Sequence, residues 1–167
     1  EPMPPLGVAR AYHACCTVRK SLVVIGGGIS SDFDVITGSV EIFAEGGGVA
    51  VTTQPPLSCG GITEAAAIAV NESDSAVGQV LLLGGCVEDV DAVPTVHLVD
   101  LATGACTQQP RLLNARAESA AVRLPDRRVV CAGGDDGTTG LSSVEVLEPP
   151  TQGALDTAWI WREMPAM

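Results

Sequence analysis

Short apolar runs separated by polar, glycine-rich and proline-rich stretches run along the whole chain. The three clearest runs span residues 22–27, 80–85 and 129–134, and each ends in two consecutive glycines. An unbroken apolar run of this length, closed by residues that permit tight turns, is typical of a β-strand covered on both faces. The glycine pairs, to which we assign a structural role in the turns, are Gly26 and Gly27, Gly84 and Gly85, and Gly133 and Gly134.

Three weaker patterns accompany each run and predict three further strands. A small apolar segment precedes each run, at residues 14–18, 65–70 and 119–123. A segment that alternates apolar and polar positions follows it, at residues 39–43, 95–99 and 143–147. A third, less regular segment closes the unit, at residues 49–53, 105–109 and 159–163. Alternation with a period of two indicates strands, so each unit is predicted to be a four-stranded antiparallel sheet.

A short proline motif marks where one unit ends and the next begins. It recurs at Pro4, Pro55, Pro110 and Pro165, which gives a repeat of about 50 residues. We therefore predict an all-β chain of three repeats, at residues 10–57, 58–112 and 113–167, with residues 1–9 as the end of a preceding unit. The second repeat keeps little beyond the glycine pair and the proline motif, and is predicted to be degenerate.

Several motifs resemble those of a known repeat family. Residues 130–149 look like the middle of a kelch repeat, and Trp161, four residues before Pro165, matches the strand tryptophan of that family. The tetrads that begin at Arg10 and Arg116 match its arginine motif. The chain thus resembles the kelch-repeat β-propellers, most of all the kelch domains of BTB–kelch proteins. The resemblance implies three propeller blades, and positions 51 and 106 depart from it because Val51 and Cys106 replace the tryptophan.

Three blades are fewer than a closed propeller needs, since known rings use about four to eight. We therefore predict an incomplete ring. The remaining blades would come either from the same longer chain or from a second copy. An open blade face would otherwise expose apolar surface.

The charge balance limits the classes of partner. The formal net charge is −11 and the isoelectric point is about 4.4, which disfavours nucleic acid and anionic membranes. No apolar run reaches the roughly 20 residues of a membrane-spanning helix. The six cysteines contain no C-x-x-C pair, so we expect reduced structural thiols and a cytoplasmic location.

Acidic residues are concentrated in the loops that follow the glycine pairs. Solvated loop tips, a negative docking surface for a basic peptide or protein, and a metal site (the weakest pattern) are all consistent with this distribution. Arg10 and Arg116 lie in the neighbouring connections, where they would either contact a partner or form structural ion pairs. The acidic candidates for partner binding are Asp32, Asp34, Glu88, Asp89, Asp91, Asp135 and Asp136.

The sequence offers no assignable catalytic, cofactor or metal residues. The resemblance extends to propeller oxidases of the galactose oxidase type, which need a tyrosine and two histidines. Here these could only be Tyr12, His13 and His97, and His97 is predicted to be structural. We therefore predict a non-enzymatic protein-interaction module, and the resemblance implies substrate recognition in a ubiquitin-ligase adaptor. A scaffold or cytoskeleton-associated propeller and, as a minor alternative, part of an oxidase propeller remain open.

Overall fold

A computed structural model of the chain describes residues 5–28, 35–44, 52–54, 56–71, 78–88, 90–148 and 159–165. These residues form an all-β fold of three four-stranded antiparallel sheets. Sheet 1 consists of β1 (Ala14–Val18), β2 (Ser21–Ile25), β3 (Val40–Ala44) and β4 (Thr52–Gln54). Sheet 2 consists of β5 (Ala66–Asn71), β6 (Gln79–Leu83), β7 (Val96–Asp100) and β8 (Cys106–Gln108). Sheet 3 consists of β9 (Ala120–Arg123), β10 (Val129–Ala132), β11 (Val144–Glu148) and β12 (Ile160–Glu163).

Each sheet is a meander in which every strand pairs with the next one along the chain. The registers of the three sheets correspond, since Leu22 pairs with Phe43, Val80 with Val99 and Val129 with Leu147. The predicted order of four strands per repeat is therefore confirmed. The observed strands begin or end within a few residues of the predicted bounds, and positions 49–51 of the fourth predicted strand lie outside the described residues.

The core lies between the sheets, with sheet 2 in the middle. One face of sheet 2 packs against sheet 1, in a buried cluster that includes Ile25, Val40 and Leu82. Its other face packs against sheet 3, where Leu83, Val129 and Trp161 belong to a second buried cluster. This arrangement explains why the β6 sequence is apolar on both faces, as expected for a strand covered from both sides.

The first strands of the three sheets are neighbours, because β5 contacts both β1 and β9. In the first two glycine pairs, the second glycine lies where one sheet meets the segment that leads into the next. The amide of Gly27 donates to Ile62 O at 2.8 Å, and the amide of Gly85 donates to Arg116 O at 2.8 Å. Sheets 1 and 2 are thus each hydrogen-bonded to the segment that leads into the next sheet.

The first glycine of the second pair shows how closely sheet 2 approaches the segment that leads into sheet 3. A Cβ at Gly84, where φ is +60°, would lie 2.1 Å from the backbone oxygen of Arg116. The same position in sheet 3 is Gly133, where a Cβ would meet only Leu141 O, at 3.7 Å. Glycine is therefore required at position 84 by contact with the following sheet as well as by its backbone conformation.

The outward faces of sheets 1 and 3 carry exposed apolar side chains. On sheet 3, Val122 is 54% exposed and Ile160 is 40% exposed; on sheet 1, Leu22 is 40% exposed. The described residues include no helix that is long and apolar enough to cross a membrane.

Candidate functional site

A groove of about 590 Å³ lies at the end of the sheets where the predicted acidic loops emerge. Five of its described lining residues are acidic, and the described lining contains no lysine or arginine. The carboxylates are Glu64, Glu88, Asp91, Glu118 and Asp135. Ile36, Val87 and Val90 add apolar wall. In a chain of net charge −11, this concave acidic surface focuses a negative potential.

Two of the lining residues, Glu64 and Glu118, belong to a row of three equivalent residues, one from each repeat. Tyr12, Glu64 and Glu118 have positive φ angles of 56°, 56° and 52°. Hydrogen bonds connect the row, since Glu64 N–H donates to Tyr12 O at 2.8 Å and Glu118 N–H donates to Glu64 O at 2.9 Å. A non-glycine residue in this conformation costs about 1–2 kcal/mol, and the hydrogen bonds between sheets hold it there. The row fixes the positions from which the two glutamate side chains enter the groove.

Glu64 and Glu118 were not among the residues predicted from the sequence. Both stand directly after the residue that bridges to the following loop, Thr63 to Cys86 and Ala117 to Asp135. Alignment of the repeats would have placed them together, two residues after Ile62 and Arg116. The acidic bias of the sequence lies in the loops after the glycine pairs, whereas Glu64 and Glu118 are single acidic residues before a strand and give no comparable signal.

Of the seven predicted acidic residues, the structure brings Glu88, Asp91 and Asp135 into the groove. Asp32, Asp34 and Asp89 lie outside the described residues. Asp136 is engaged within its own loop, where its Oδ1 accepts hydrogen bonds from Thr138 N, Thr138 Oγ1 and Thr139 N at 2.7–2.9 Å. These hydrogen bonds, led by the one from the Thr138 hydroxyl, lower the pKa of Asp136.

Cys86 lies in the groove wall between two acidic residues. Its Sγ is 2.9 Å from Glu64 Oε2 and 2.6 Å from Asp91 O. Burial, followed by the hydrogen bond and charge of Glu64, raises the pKa of the thiol to about 12. The thiol is therefore protonated at neutral pH and serves as a hydrogen-bond donor. In this form it is a weak nucleophile and a weak metal ligand.

Arg10 forms an ion pair in the interior. Its Nη2 lies 2.6 Å from Glu41 Oε1, and the side chains are 0% and 2% exposed. Its guanidinium also donates to Gly26 O at 2.6 Å and to Ser39 Oγ at 2.8 Å. The amide of Gly7 donates to the other Glu41 oxygen at 2.7 Å.

Arg116 repeats this arrangement in the third repeat. Its Nη2 lies 2.5 Å from Glu145 Oε1, with both side chains 0% exposed, and Nη1 donates to Gly133 O at 2.8 Å. The amide of Leu113 donates to Glu145 Oε2 at 2.6 Å. The expectation that these two arginines line a docking surface is thus corrected: both are buried in ion pairs, which was the other role left open for them. They fix the connecting segment onto the sheet that it enters.

No group of three or more His, Cys, Asp and Glu side chains suitable for a metal ion occurs within the described ranges. The carboxylates of the groove offer hydrogen-bond acceptance and ion pairing. Its five carboxylates match a ligand that carries several lysine or arginine groups.

No protein-family model and no curated protein matches the chain. Among solved structures, the chain is similar to the structure of YjhT, with a TM-score of 0.69 and 13% sequence identity. The similarity covers 93% of this chain and 46% of YjhT, so the chain spans less than half the length of that protein. At this level of identity the likeness concerns the fold alone.

Proposed function

We propose that the chain is a protein-recognition module of β-propeller architecture and that its acidic groove binds a basic segment of a partner protein. The groove carries the proposal, because it gathers five carboxylates and no basic residue among its described lining residues. The kelch-like motifs and the side-by-side first strands of the three sheets support the propeller architecture. The structural similarity to YjhT is compatible with it.

In this proposal the outward faces of sheets 1 and 3 are covered by further blades. Val122, Ile160 and Leu22 are each at least 40% exposed on those faces, and a further blade packed on each face would bury them. The additional blades would come from a longer chain or from a second copy.

The basic character of the partner follows from the charges of the groove. Lysine and arginine side chains pair with carboxylates through charge-assisted hydrogen bonds, and arginine does so with two parallel bonds. Hydrogen bonds between the sheets hold the backbone of Tyr12, Glu64 and Glu118 in place. The side chains of Glu64 and Glu118 therefore extend from fixed backbone positions. Such preorganisation lowers the entropic cost of binding.

The role in a ubiquitin ligase, which the resemblance implies, stays a prediction, as does the alternative of a scaffold without ligase activity. The two are distinguished by whether the full-length protein promotes ubiquitin transfer to a captured partner.

Binding of a fluorescein-labelled ten-residue peptide that alternates arginine with glycine tests the groove directly. We expect fluorescence anisotropy to report binding that weakens as salt is raised, because the contacts are ionic. The double variant E64Q/E118Q removes two groove charges and is expected to weaken binding about five- to tenfold.

The matched control is D126N/E163Q, which removes the same number of charges from exposed positions outside the groove. This control is expected to change affinity by less than about twofold. Equal losses in the two double variants would mean that the peptide responds only to net charge, and would refute the groove as the binding site.

A further inference from the structure

Two cysteines that are distant in sequence meet at the junction of the first two repeats. Cys59 Sγ lies 2.9 Å from Cys106 Sγ, although the two residue numbers differ by 47. Both thiols are free in the structure. A disulfide bond is about 2.05 Å long, so the sulfurs need to approach by only about 0.9 Å.

The backbone around the pair is fixed by hydrogen bonds between the same two segments. Ser58 N–H donates to Gly104 O at 3.0 Å, and Cys106 N–H donates to Ser58 Oγ at 2.8 Å. Gly60 N–H donates to Leu57 O at 3.2 Å and closes a turn around Cys59. The segments that carry the two sulfurs are therefore aligned independently of any bond between them.

The third repeat shows what this position does. Trp161 pairs with Leu147 just as Cys106 pairs with Val99 in the second repeat. The indole Nε1–H of Trp161 donates to Pro110 O at 2.9 Å and so attaches the last strand of sheet 3 to the preceding connection. In sheet 2 the thiol pair stands in that place and attaches β8 to the connection that contains Cys59.

We propose that Cys59 and Cys106 form a reversible disulfide, and that a low-molecular-weight disulfide such as oxidised glutathione acts as the oxidant. The thiolate of one cysteine attacks a sulfur of the small disulfide, which forms a mixed disulfide and releases one small thiolate. The thiolate of the other cysteine then attacks the protein sulfur of that mixed disulfide and releases the second small thiolate. The protein pair loses two electrons and two protons, and the small disulfide is reduced to two thiols.

Exposure and acidity set how fast this reaction proceeds. Cys59 is exposed and Cys106 is half-buried, so an oxidant reaches the pair from solvent. Partial burial of the thiol and its hydrogen bond with Cys106 raise the pKa of Cys59 to about 12. Since the thiolate is the attacking species, we expect oxidation to be slow near neutral pH and to accelerate as the pH rises.

The test is incubation of the chain with oxidised glutathione, followed by alkylation of free thiols in denaturant, which also opens the buried Cys131, and intact mass measurement. We expect a mass decrease of about 2 Da before alkylation, from loss of two hydrogens, and four alkyl labels in place of six on the six cysteines afterwards. Peptide mapping without reductant should detect the Cys59 and Cys106 peptides joined by a disulfide bond. Dithiothreitol should restore six alkylated thiols.

Thermal unfolding gives an independent readout. In the chain-entropy model, a bond that closes a loop of this length raises Tm by roughly 5–15 °C, and dithiothreitol should abolish the rise. The variants C59S and C106S should lack both the crosslink and the rise, whereas C15S, which changes an exposed cysteine of β1, should retain both.

Two results would overturn the proposal. One is a wild-type chain whose Cys59 and Cys106 both remain open to alkylation after oxidation. The other is a stable glutathione adduct on either cysteine that the second thiol fails to displace.

Discussion

In the first and third repeats a buried ion pair holds the connecting segment against its sheet, whereas the second repeat has no ion pair at the equivalent positions. Arg10 with Glu41 and Arg116 with Glu145 join a connecting segment to its sheet at 2.6 and 2.5 Å. At the equivalent positions of the second repeat stand Ile62, which is 3% exposed, and His97.

This difference indicates what the position requires. Two buried charges lose their hydration, and the loss is offset only where hydrogen bonds satisfy both groups. The network around Arg116 and Glu145 supplies most of these bonds through Gly133, Ser143, Leu113 and Asn114, while Nε of Arg116 has no hydrogen-bond partner among the described residues. Ile62 fills the same place with apolar contact alone. The position therefore serves to hold the connection against the sheet, and the ion pair is one of two ways to do so.

Breaking one partner of a pair should have the largest effect. Glu145→Gln leaves the buried Arg116 guanidinium without a counter-charge, and we expect a loss of about 3–5 kcal/mol in the free energy of unfolding. Glu41→Gln should behave alike, because its pair is equally buried. Urea unfolding followed by circular dichroism measures both.

The double variant R116I/E145H gives the third repeat the residue types that the second repeat has at the equivalent positions, Ile62 and His97. It should be less destabilised than Glu145→Gln, since no unpaired charge remains. A single-variant loss below about 1 kcal/mol, the range of exposed pairs, would contradict the role given to the buried pair.

The glycine pairs provide a second contrast between repeats. Gly84→Ala would place a Cβ 2.1 Å from Arg116 O and should cost about 3–4 kcal/mol, from steric overlap added to an unfavourable φ. Gly133→Ala meets no close atom and should cost only the conformational term, about 1–2 kcal/mol. Equal losses in chemical denaturation would mean that contact between sheets 2 and 3 at Gly84 is looser than described.

The smallest expected effect concerns the second repeat, where Ile62 and His97 stand in place of the buried ion pair. Burial lowers the pKa of His97 from 6.5, so the folded state favours the neutral ring. Its contribution to stability is present above pH 6.5 and is lost as the pH falls below that value. His13 acts in the same direction, through burial and the charge of Arg10. We expect His97→Gln to flatten the pH dependence of the free energy of unfolding between about pH 5 and 7. His13→Gln should flatten the slope as well, because its pKa is lowered too, and an unchanged slope in His97→Gln would contradict this assignment.

Much of the fold was predictable because strand patterns are local. The alternation of Val40, Glu41 and Ile42 and the apolar run of β6 each contain their own signal. The candidate site was predictable only in part. Glu88, Asp91 and Asp135 belong to loops with an evident acidic bias, whereas Glu64 and Glu118 enter the groove from the starts of strands.

The remaining contacts depend on distances that sequence spacing does not contain. The burial of Arg116 distinguishes an ion pair from a docking residue, and both roles fit the same sequence. Cys59 and Cys106 are separated by most of a repeat, so their proximity follows only from the packing of the connection against β8.

Amide hydrogen exchange of the chain, with and without the arginine–glycine peptide, tests the central claim most directly because it locates the bound surface. We expect slower exchange at residues 63–65, 86–88, 90–91 and 117–119, around the acidic groove. Protection confined to the opposite end of the sheets, at the turns near Arg19 and Asp126, would contradict it.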